Sequence, residues 1–357
     1  MTLSRRDVLQ ALGLGIAAGP LGALAQEPAR GRGQQAPRDT TPLVPPFEST
    51  GWKTVWLDHL NYQCADYKQA AAFYVALMGW KVRSDDGTRA LLDIGENSGG
   101  VLIRGGLTAA PPAAITDAGL GVNRPPVRAV FDGFAWGVEP WDTDAVKREL
   151  EKRGLKPIAD HHGDYKSFRV KDPDGFDVAV TNATKANRRK GPAAGKLSAP
   201  LPFEPTGWHT LFLDHISFEV PDYRRSAAFY QALLGWDVRP GSGTQASVQI
   251  GDVAGAIIRG NAAARAAARG GAAAEATPPP ASGVTAAIGH ISFGIEHWDT
   301  ERVREELKKR DVVYVNREGQ REPRPDMTGN LQSFHVPDAM GWDLQIGNKT
   351  GPNRWND

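Results

Sequence analysis

Cysteine is almost absent from this chain, since Cys64 is the only one in 357 residues. One thiol excludes an internal disulfide and any zinc cluster built from cysteines. The chain also lacks an excess of charge of either sign, because 42 Lys and Arg residues balance 41 Asp and Glu residues. Nucleic-acid binding needs a strong basic excess. The composition therefore gives no electrostatic support for a nucleic-acid partner.

Three common signatures are missing as well: the nucleophile elbow, the phosphate-binding loop and the dinucleotide fingerprint. What is present is the composition of a soluble globular protein, with 41% hydrophobic and 23% charged residues. The length suggests two domains of ordinary size, each able to bury its own core.

The first 25 residues predict an export signal, because Arg5 and Arg6 precede an apolar run that ends in Ala23-Leu24-Ala25. Five Gly and Pro residues interrupt this run, so stable membrane insertion is not expected. The paired arginines resemble a twin-arginine signal, which implies export to the bacterial periplasm or the extracellular space. An ordinary secretory signal is the alternative. Residues 26–46 are rich in Pro, Gly, Gln and Arg and predict a flexible tether.

An internal repeat is the strongest signal in the sequence. The segment that begins at Gly51 returns at Gly207, an offset of 156, and 18 of the 33 positions from Gly51 to Arg83 are identical to their partners. This self-similarity indicates a duplicated domain. We assign residues 47–182 to the first copy, 183–202 to a linker, 203–348 to the second copy and 349–357 to a tail.

Each copy contains two units with the same order of elements, a strand, a helix and further strands. Leu57–Tyr62 alternates as a strand does, and Asp66 and Gly79 have the residue types that begin and end a helix. Phe131–Val138 starts the second unit in the same way. The Ala-, Pro- and Gly-rich join Gly106–Pro126 between the two units predicts a linker.

The repeated pattern resembles the vicinal oxygen chelate superfamily, which includes glyoxalase I, bleomycin-resistance proteins and extradiol dioxygenases. Three motifs support the resemblance: Asp-His in the first strand of each copy, Ala-Ala-Phe-Tyr with a following Gly-Trp, and Asp172-Pro173-Asp174-Gly175. It implies an α+β fold of two tandem domains. Each domain would contain two βαβββ modules that form a cup-shaped mixed sheet around a metal.

The resemblance also implies a ligand set. In the dioxygenase branch two histidines and a carboxylate hold Fe(II), and the matching positions in the second copy are His215, His290 and Gln345. Glutamine replaces the carboxylate, although some glyoxalases of the superfamily use this residue as a ligand. Asp343 shares a face with Gln345 and is the alternative third ligand. The expected cofactor is a divalent metal, with Fe(II), Mn(II), Zn(II) and Ni(II) all open.

The first copy departs further from the pattern, because its three positions are His59, Gly133 and Ala179. Two of these offer no donor atom, which predicts a metal-free first domain. His59 then has a structural role or an unassigned one.

Two further residues match catalytic positions of the extradiol enzymes. Asp326 stands where that family has a histidine, and His335 stands where it has a tyrosine. His335 is a candidate proton-transfer group because imidazole titrates near neutrality. The alternative is a polar residue that lines the cup without reacting.

The sequence therefore leaves two functions open. One is an exported, metal-dependent, glyoxalase- or dioxygenase-like enzyme that acts on a small molecule through adjacent oxygens. The other is a binding protein of the bleomycin-resistance type, which sequesters a small ligand without reaction. His215 with His290 favours the enzyme, whereas Gln345 favours the binder. Either protein could be an oligomer.

Overall fold

The computed structural model describes residues 41–95, 98–108, 122–188, 193–241, 243–260 and 284–351. The predicted export signal and most of the predicted tether lie outside these residues. Both repeats belong to one compact unit, Pro37–Asp357. In the described part of the chain, no helix combines the length and the apolar character needed to cross a membrane.

The first repeat folds as two successive units, each of which begins with a long strand and a helix. The first unit consists of β1 (Lys53–Cys64), α1 (Tyr67–Met78), β2 (Lys81–Asp85), β3 (Arg89–Gly95) and β4 (Ser98–Arg104). After a short strand β5 (Val122–Asn123), the second consists of β6 (Ala129–Glu139), α2 (Thr143–Lys152), β7 (Ile158–Ala159), β8 (Ser167–Lys171) and β9 (Asp177–Thr181). A four-residue helix, α3 (Lys185–Arg188), follows.

The second repeat has the same order. Its first unit consists of β10 (Thr210–Val220), α4 (Tyr223–Leu234), β11 (Asp237–Pro240), β12 (Gln245–Ile250) and β13 (Ala254–Gly260). Its second unit consists of β14 (Ala287–Ile295), α5 (Thr300–Lys309), β15 (Tyr314–Asn316), β16 (Arg321–Glu322), β17 (Arg324–Thr328), β18 (Leu331–Pro337) and β19 (Asp343–Gly347).

Each repeat builds one mixed sheet of eight strands. The strand orders are β2-β3-β4-β1-β6-β9-β8-β7 and β11-β12-β13-β10-β14-β19-β18-β17. At the centre of each sheet the first strands of the two units pair antiparallel, and each has a parallel neighbour on its other side. This arrangement confirms the predicted α+β class with two tandem mixed sheets.

The predicted linker between the two units of the first repeat has structure at its end. Its strand β5 pairs with β15 of the second repeat, with Asn123 opposite Val315. The pairing satisfies backbone groups along an edge of β15 that would otherwise lack partners. The described end of this join is therefore a strand docked on the other repeat, which the sequence analysis missed.

The predicted ends of the first helix are confirmed. Asp66 is the N-cap of α1, and its carboxylate accepts hydrogen bonds from the backbone N–H groups of Lys68 and Gln69. Gly79 ends the helix in the left-handed conformation, with φ of 69°. A Cβ atom at this glycine would also lie only 2.0 Å from the carbonyl oxygen of Trp208. Glycine is thus required both by the turn and by the close approach of the second repeat.

The two repeats are joined by reciprocal hydrogen bonds near the starts of β1 and β10. The indole N–H of Trp80 donates to Thr210 Oγ1 at 3.0 Å, and that of Trp236 donates to Thr54 Oγ1 at 3.1 Å. Each threonine hydroxyl in turn donates to a carbonyl at the end of the other repeat's helix, at 3.0 Å. Each repeat therefore completes the polar interior of the other.

Two buried carboxyl groups extend these reciprocal contacts. Asp172 accepts a hydrogen bond from the hydroxyl of Tyr230 at 2.8 Å, and Asp338 accepts hydrogen bonds from Tyr74 and Tyr62. Burial raises the pKa of Asp338, and burial together with the nearby charge of Asp174 raises that of Asp172 to about 6. The interface between the repeats thus contains acidic groups that hold their protons more tightly than exposed carboxyl groups do.

Candidate metal centre

A row of polar side chains crosses one face of the second sheet. His215 on β10 lies opposite Ser292 on β14, which lies opposite Gln345 on β19. Gln345 in turn pairs with His335 on β18, and His335 pairs with Arg324 on β17. Directly paired residues project from the same face of a sheet. The sequence positions predicted to hold and surround a metal therefore meet on one surface.

The imidazoles of His215 and His290 face each other. Their Nε2 atoms are 3.0 Å apart, and His215 Nδ1 lies 2.6 Å from a carboxylate oxygen of the adjacent Asp214. A carboxylate accepts hydrogen bonds, so Nδ1 of His215 carries the proton and Nε2 presents a lone pair toward His290. A carboxylate behind a histidine is the usual outer support of a metal-binding imidazole.

The charge state of His290 suits the same role. Burial is the largest of the effects that hold its pKa well below the usual value, and His335 and His215 add to it. The ring is therefore neutral, as a metal ligand must be. Metal–nitrogen bonds of about 2.1 Å at adjacent octahedral positions would place two such atoms about 3 Å apart. The observed separation is that of a hydrogen bond between the two rings, and a divalent ion that replaced this hydrogen bond would have both nitrogen atoms within reach.

Gln345 contributes a carbonyl oxygen to this face. The Ser333 hydroxyl donates its one proton to the backbone oxygen of Asp326 at 3.0 Å, so it must accept from Gln345 Nε2 at 2.8 Å. This fixes the orientation of the amide. Its Oε1 atom is buried and has no hydrogen-bond partner among the described residues. A buried acceptor without a partner is costly, and a cation bound there would remove the cost.

Asp343, the alternative third ligand, is already engaged. It accepts from Tyr314 Oη at 2.9 Å and lies 3.0 Å from His335 Nδ1. It also forms a buried ion pair with Arg124 at 2.8 Å, and Arg124 directly follows β5. Burial alone would raise the pKa of Asp343, but its interactions with His335 and Arg124 hold it below its usual value.

His290, His335 and Asp343 nevertheless form a candidate His/His/Asp metal site, since they offer ligand atoms within 4.8 Å of one another. Arg124 argues against Asp343 as the ligand, because a metal ion on its carboxylate would lie next to the guanidinium charge. The position of Asp343 is better suited to orient His335. It holds Nδ1 of that ring and leaves Nε2 facing the cup.

Asp326 and His335, the two candidate catalytic residues of the sequence analysis, lie side by side. Asp326 Oδ2 is 4.0 Å from His335 Nε2, and Asp326 Oδ1 accepts from Thr328 Oγ1 at 3.1 Å. The neighbouring His335 is the largest cause of a lowered pKa for Asp326. Asp326 is therefore ionised near neutral pH and suits charge stabilisation of His335 better than proton donation.

Among its described residues, the first repeat offers no comparable ligand set on the equivalent surface. Gly133 lies opposite Asn61, and a Cβ atom added to it would be 2.7 Å from a backbone oxygen. His59 is one-fifth exposed and contacts Asp58 at 2.8 Å, and Asp58 is also paired with Arg188 of α3 at 2.6 Å. The Asp-His pair is thus retained here, while an arginine from the helix after β9 neutralises its carboxylate.

Sequence reasoning missed three participants. Asp214 had a visible signal, because the Asp-His pair recurs in both repeats, yet only the histidines were assigned. Arg124 lies in the join that was predicted to be a linker. Arg324 lies on β17, a strand that no alternation of apolar and polar residues predicted.

Comparison with known proteins agrees with this architecture. A family model described as the Glyoxalase/Bleomycin resistance protein/Dioxygenase superfamily matches residues 56–180 and 212–346, one match in each repeat. No curated protein sequence matches the chain.

Solved structures with the same fold include enzymes of two kinds. The Mn(II)-bound glyoxalase from Novosphingobium aromaticivorans is 15% identical, with a TM-score of 0.53 over 83% of this chain and 82% of that chain. Homoprotocatechuate 2,3-dioxygenase from Arthrobacter globiformis is 17% identical, with a TM-score of 0.53 over 86% and 83%. A catechol 2,3-dioxygenase is 14% identical, with a TM-score of 0.52 over 83% and 88%. At these identities the likeness shows the fold alone. The family matches in both repeats show that the chain belongs to the glyoxalase/bleomycin resistance protein/dioxygenase superfamily.

Proposed function

We propose that the protein holds one divalent metal in its second repeat and uses it to bind a small molecule through adjacent oxygens, as a glyoxalase- or dioxygenase-like enzyme. The approach of His215 Nε2 to His290 Nε2, at 3.0 Å, is the observation that carries the proposal. The free carbonyl oxygen of Gln345 in the same row supplies a third donor. A Mn(II)-bound glyoxalase and extradiol dioxygenases among the similar structures support the choice of chemistry.

Of the residues around the metal site, some would orient the histidines and one, His335, would transfer a proton. When bound, the metal supplies a Lewis acid and a template for two oxygens. Asp214 keeps the proton of His215 on Nδ1, and Asp343 does the same for His335. His335 Nε2 is then able to accept a proton from a ligand hydroxyl, and the charge so formed is stabilised by Asp343 and Asp326.

A binding protein without catalysis is the second candidate, and the charge of the site favours it. His215, His290 and Gln345 are all neutral donors. Asp343, the carboxylate that could replace Gln345 as a ligand, is already paired with Arg124. A neutral ligand set holds Fe(II) or Mn(II) less firmly than one with a carboxylate. Turnover of a chelating substrate by the metal-loaded protein would decide between the two candidates.

Gln345→Glu tests the third ligand. A carboxylate adds charge and is a harder donor, so this variant should bind Mn(II) about tenfold more tightly than the wild type. Asp343→Asn is the matched control on the same strand face, and it should change Mn(II) affinity less because Asp343 is held by Tyr314, His335 and Arg124. Affinities are measured by titration of the metal-free protein. Loss of binding in Asp343→Asn with no change in Gln345→Glu would identify Asp343 as the ligand.

We also propose that the protein is exported through its twin-arginine-like signal. The proposal rests on Arg5 and Arg6 ahead of an apolar run that ends in small residues. Replacing both arginines by lysine should abolish accumulation outside the cytoplasm while the folded protein remains inside the cell, as seen by fractionation. Undiminished export of the variant would instead indicate the general secretory route.

A further inference from the structure

Arg324 differs from Arg124 and Arg188, two other arginines near the candidate sites. It lies opposite His335 on the polar face of the second sheet and is partly buried, with its Nε atom fully buried. Among the described residues its side chain makes no hydrogen bond, and no carboxylate oxygen lies within 4.0 Å of its guanidinium nitrogen atoms. By contrast, Arg124 and Arg188 each pair with a buried aspartate, at 2.8 and 2.6 Å.

The nearby acidic groups have other partners. Asp343 pairs with Arg124, and Asp326 is held by Thr328 next to His335. Both feel the charge of Arg324, which helps to lower their pKa values, but neither forms an ion pair with it. The charge of Arg324 also disfavours protonation of His290. A partly desolvated guanidinium without a partner is unfavourable unless an anion binds to it.

We propose that Arg324 binds a carboxylate group of the ligand, so that the molecule bound in the second repeat is an organic acid that also carries two adjacent oxygens. This inference rests on the proposed function, because the adjacent oxygens belong to the metal. A guanidinium presents parallel N–H groups that match the two oxygens of a carboxylate. The bound acid would also offset the positive charge of a metal held by neutral donors.

Two probes that differ only by a carboxylate test the proposal: catechol and 3,4-dihydroxybenzoate. Their affinities for the Mn(II)-loaded full-length protein are measured by calorimetric titration. The wild type should bind 3,4-dihydroxybenzoate about 10- to 100-fold more tightly than catechol, the range expected for hydrogen bonds to a charged group. Arg324→Gln should remove this preference, and Arg324→Lys should restore part of it. Arg321→Gln is the control, because Arg321 is exposed and paired with Asp311.

The proposal is overturned if the wild type does not prefer 3,4-dihydroxybenzoate to catechol. It is also overturned if Arg324→Gln keeps this preference. If Mn(II) does not bind, the proposed function fails, and benzoate is then titrated into the metal-free protein. Benzoate binding that is lost in Arg324→Gln supports the carboxylate site on its own. No benzoate binding by the wild type overturns it. A circular-dichroism spectrum equal to that of the wild type confirms that each variant is folded.

Discussion

His290→Ala will bind divalent metal at least about 100-fold more weakly than the wild type, because it removes one of two facing imidazoles. Loss of an outer-shell partner alone costs 10- to 100-fold in metal affinity, so loss of a ligand costs more. His215→Ala should have the same effect. The wild type should contain close to one metal ion per chain, and elemental analysis of protein purified without added metal will both count and identify it.

The matched control is His59→Ala, the equivalent replacement in the first repeat. It should leave the metal content unchanged, since Gly133 and Ala179 supply no donors beside His59. A metal content that falls in His59→Ala and stays the same in His290→Ala would place the metal in the first repeat. Whole protein is required for this comparison, because each repeat completes the polar interior of the other.

Asp172→Asn will remove a loss of stability of about 3 kcal/mol that the wild type undergoes as the pH rises from 4 to above 6. The pKa of Asp172 is 3.8 in the unfolded chain and about 6 in the folded protein, so the folded state binds the proton more tightly. Its contribution to stability is complete below pH 3.8 and is lost as the pH rises through 6. A shift of about 2 pKa units corresponds to about 3 kcal/mol. Asparagine does not ionise, so the variant does not lose this stability as the pH rises.

Denaturant unfolding of both proteins between pH 4 and pH 8 measures the effect. The difference in unfolding free energy should grow in favour of Asp172→Asn between pH 4 and 6 and stay constant above it. The asparagine amide oxygen can still accept the backbone N–H bonds of Asp174 and Phe176, now 2.9 and 2.8 Å long. Asp252→Asn, at an exposed site, is the control. Parallel pH profiles for Asp172→Asn and the wild type would contradict the assigned pKa.

Local signals in the sequence were sufficient for the ends of the first helix and for the long strands that begin each unit, but not for the short strands β5 and β17. Asp66 and Gly79 predicted the ends of α1 because capping depends on residues within one turn. The resemblance to a known family placed His215 and His290 on the first strands of two units, and neighbouring strands of this fold bring such positions together. Strand alternation also placed Asp343 and Gln345 on one face. The helix ends needed only short-range patterns, whereas the choice of the histidines needed the family resemblance.

The state of each side chain in the site depended on contacts that are distant in the sequence. Arg124 is more than 200 residues from Asp343, and no local pattern in the sequence shows that the two side chains form an ion pair. The orientation of the Gln345 amide follows from a serine hydroxyl on β18. Likewise, the absence of a partner for Arg324 among the described residues is a property of the assembled sheet. Sequence patterns locate such groups but do not pair them.

The contacts between the two repeats also bear on when this protein can fold during its synthesis. Tyr62 is separated by 276 residues from Asp338, to which its hydroxyl is bonded. A ribosome that adds 5–20 residues per second needs roughly 15 to 55 s to make that interval. Throughout this time the first repeat emerges with polar groups that lack their final partners. The native interior can form only when translation is nearly complete, long after the predicted N-terminal signal has been made. A transport route that accepts folded proteins would suit a chain with this order of events.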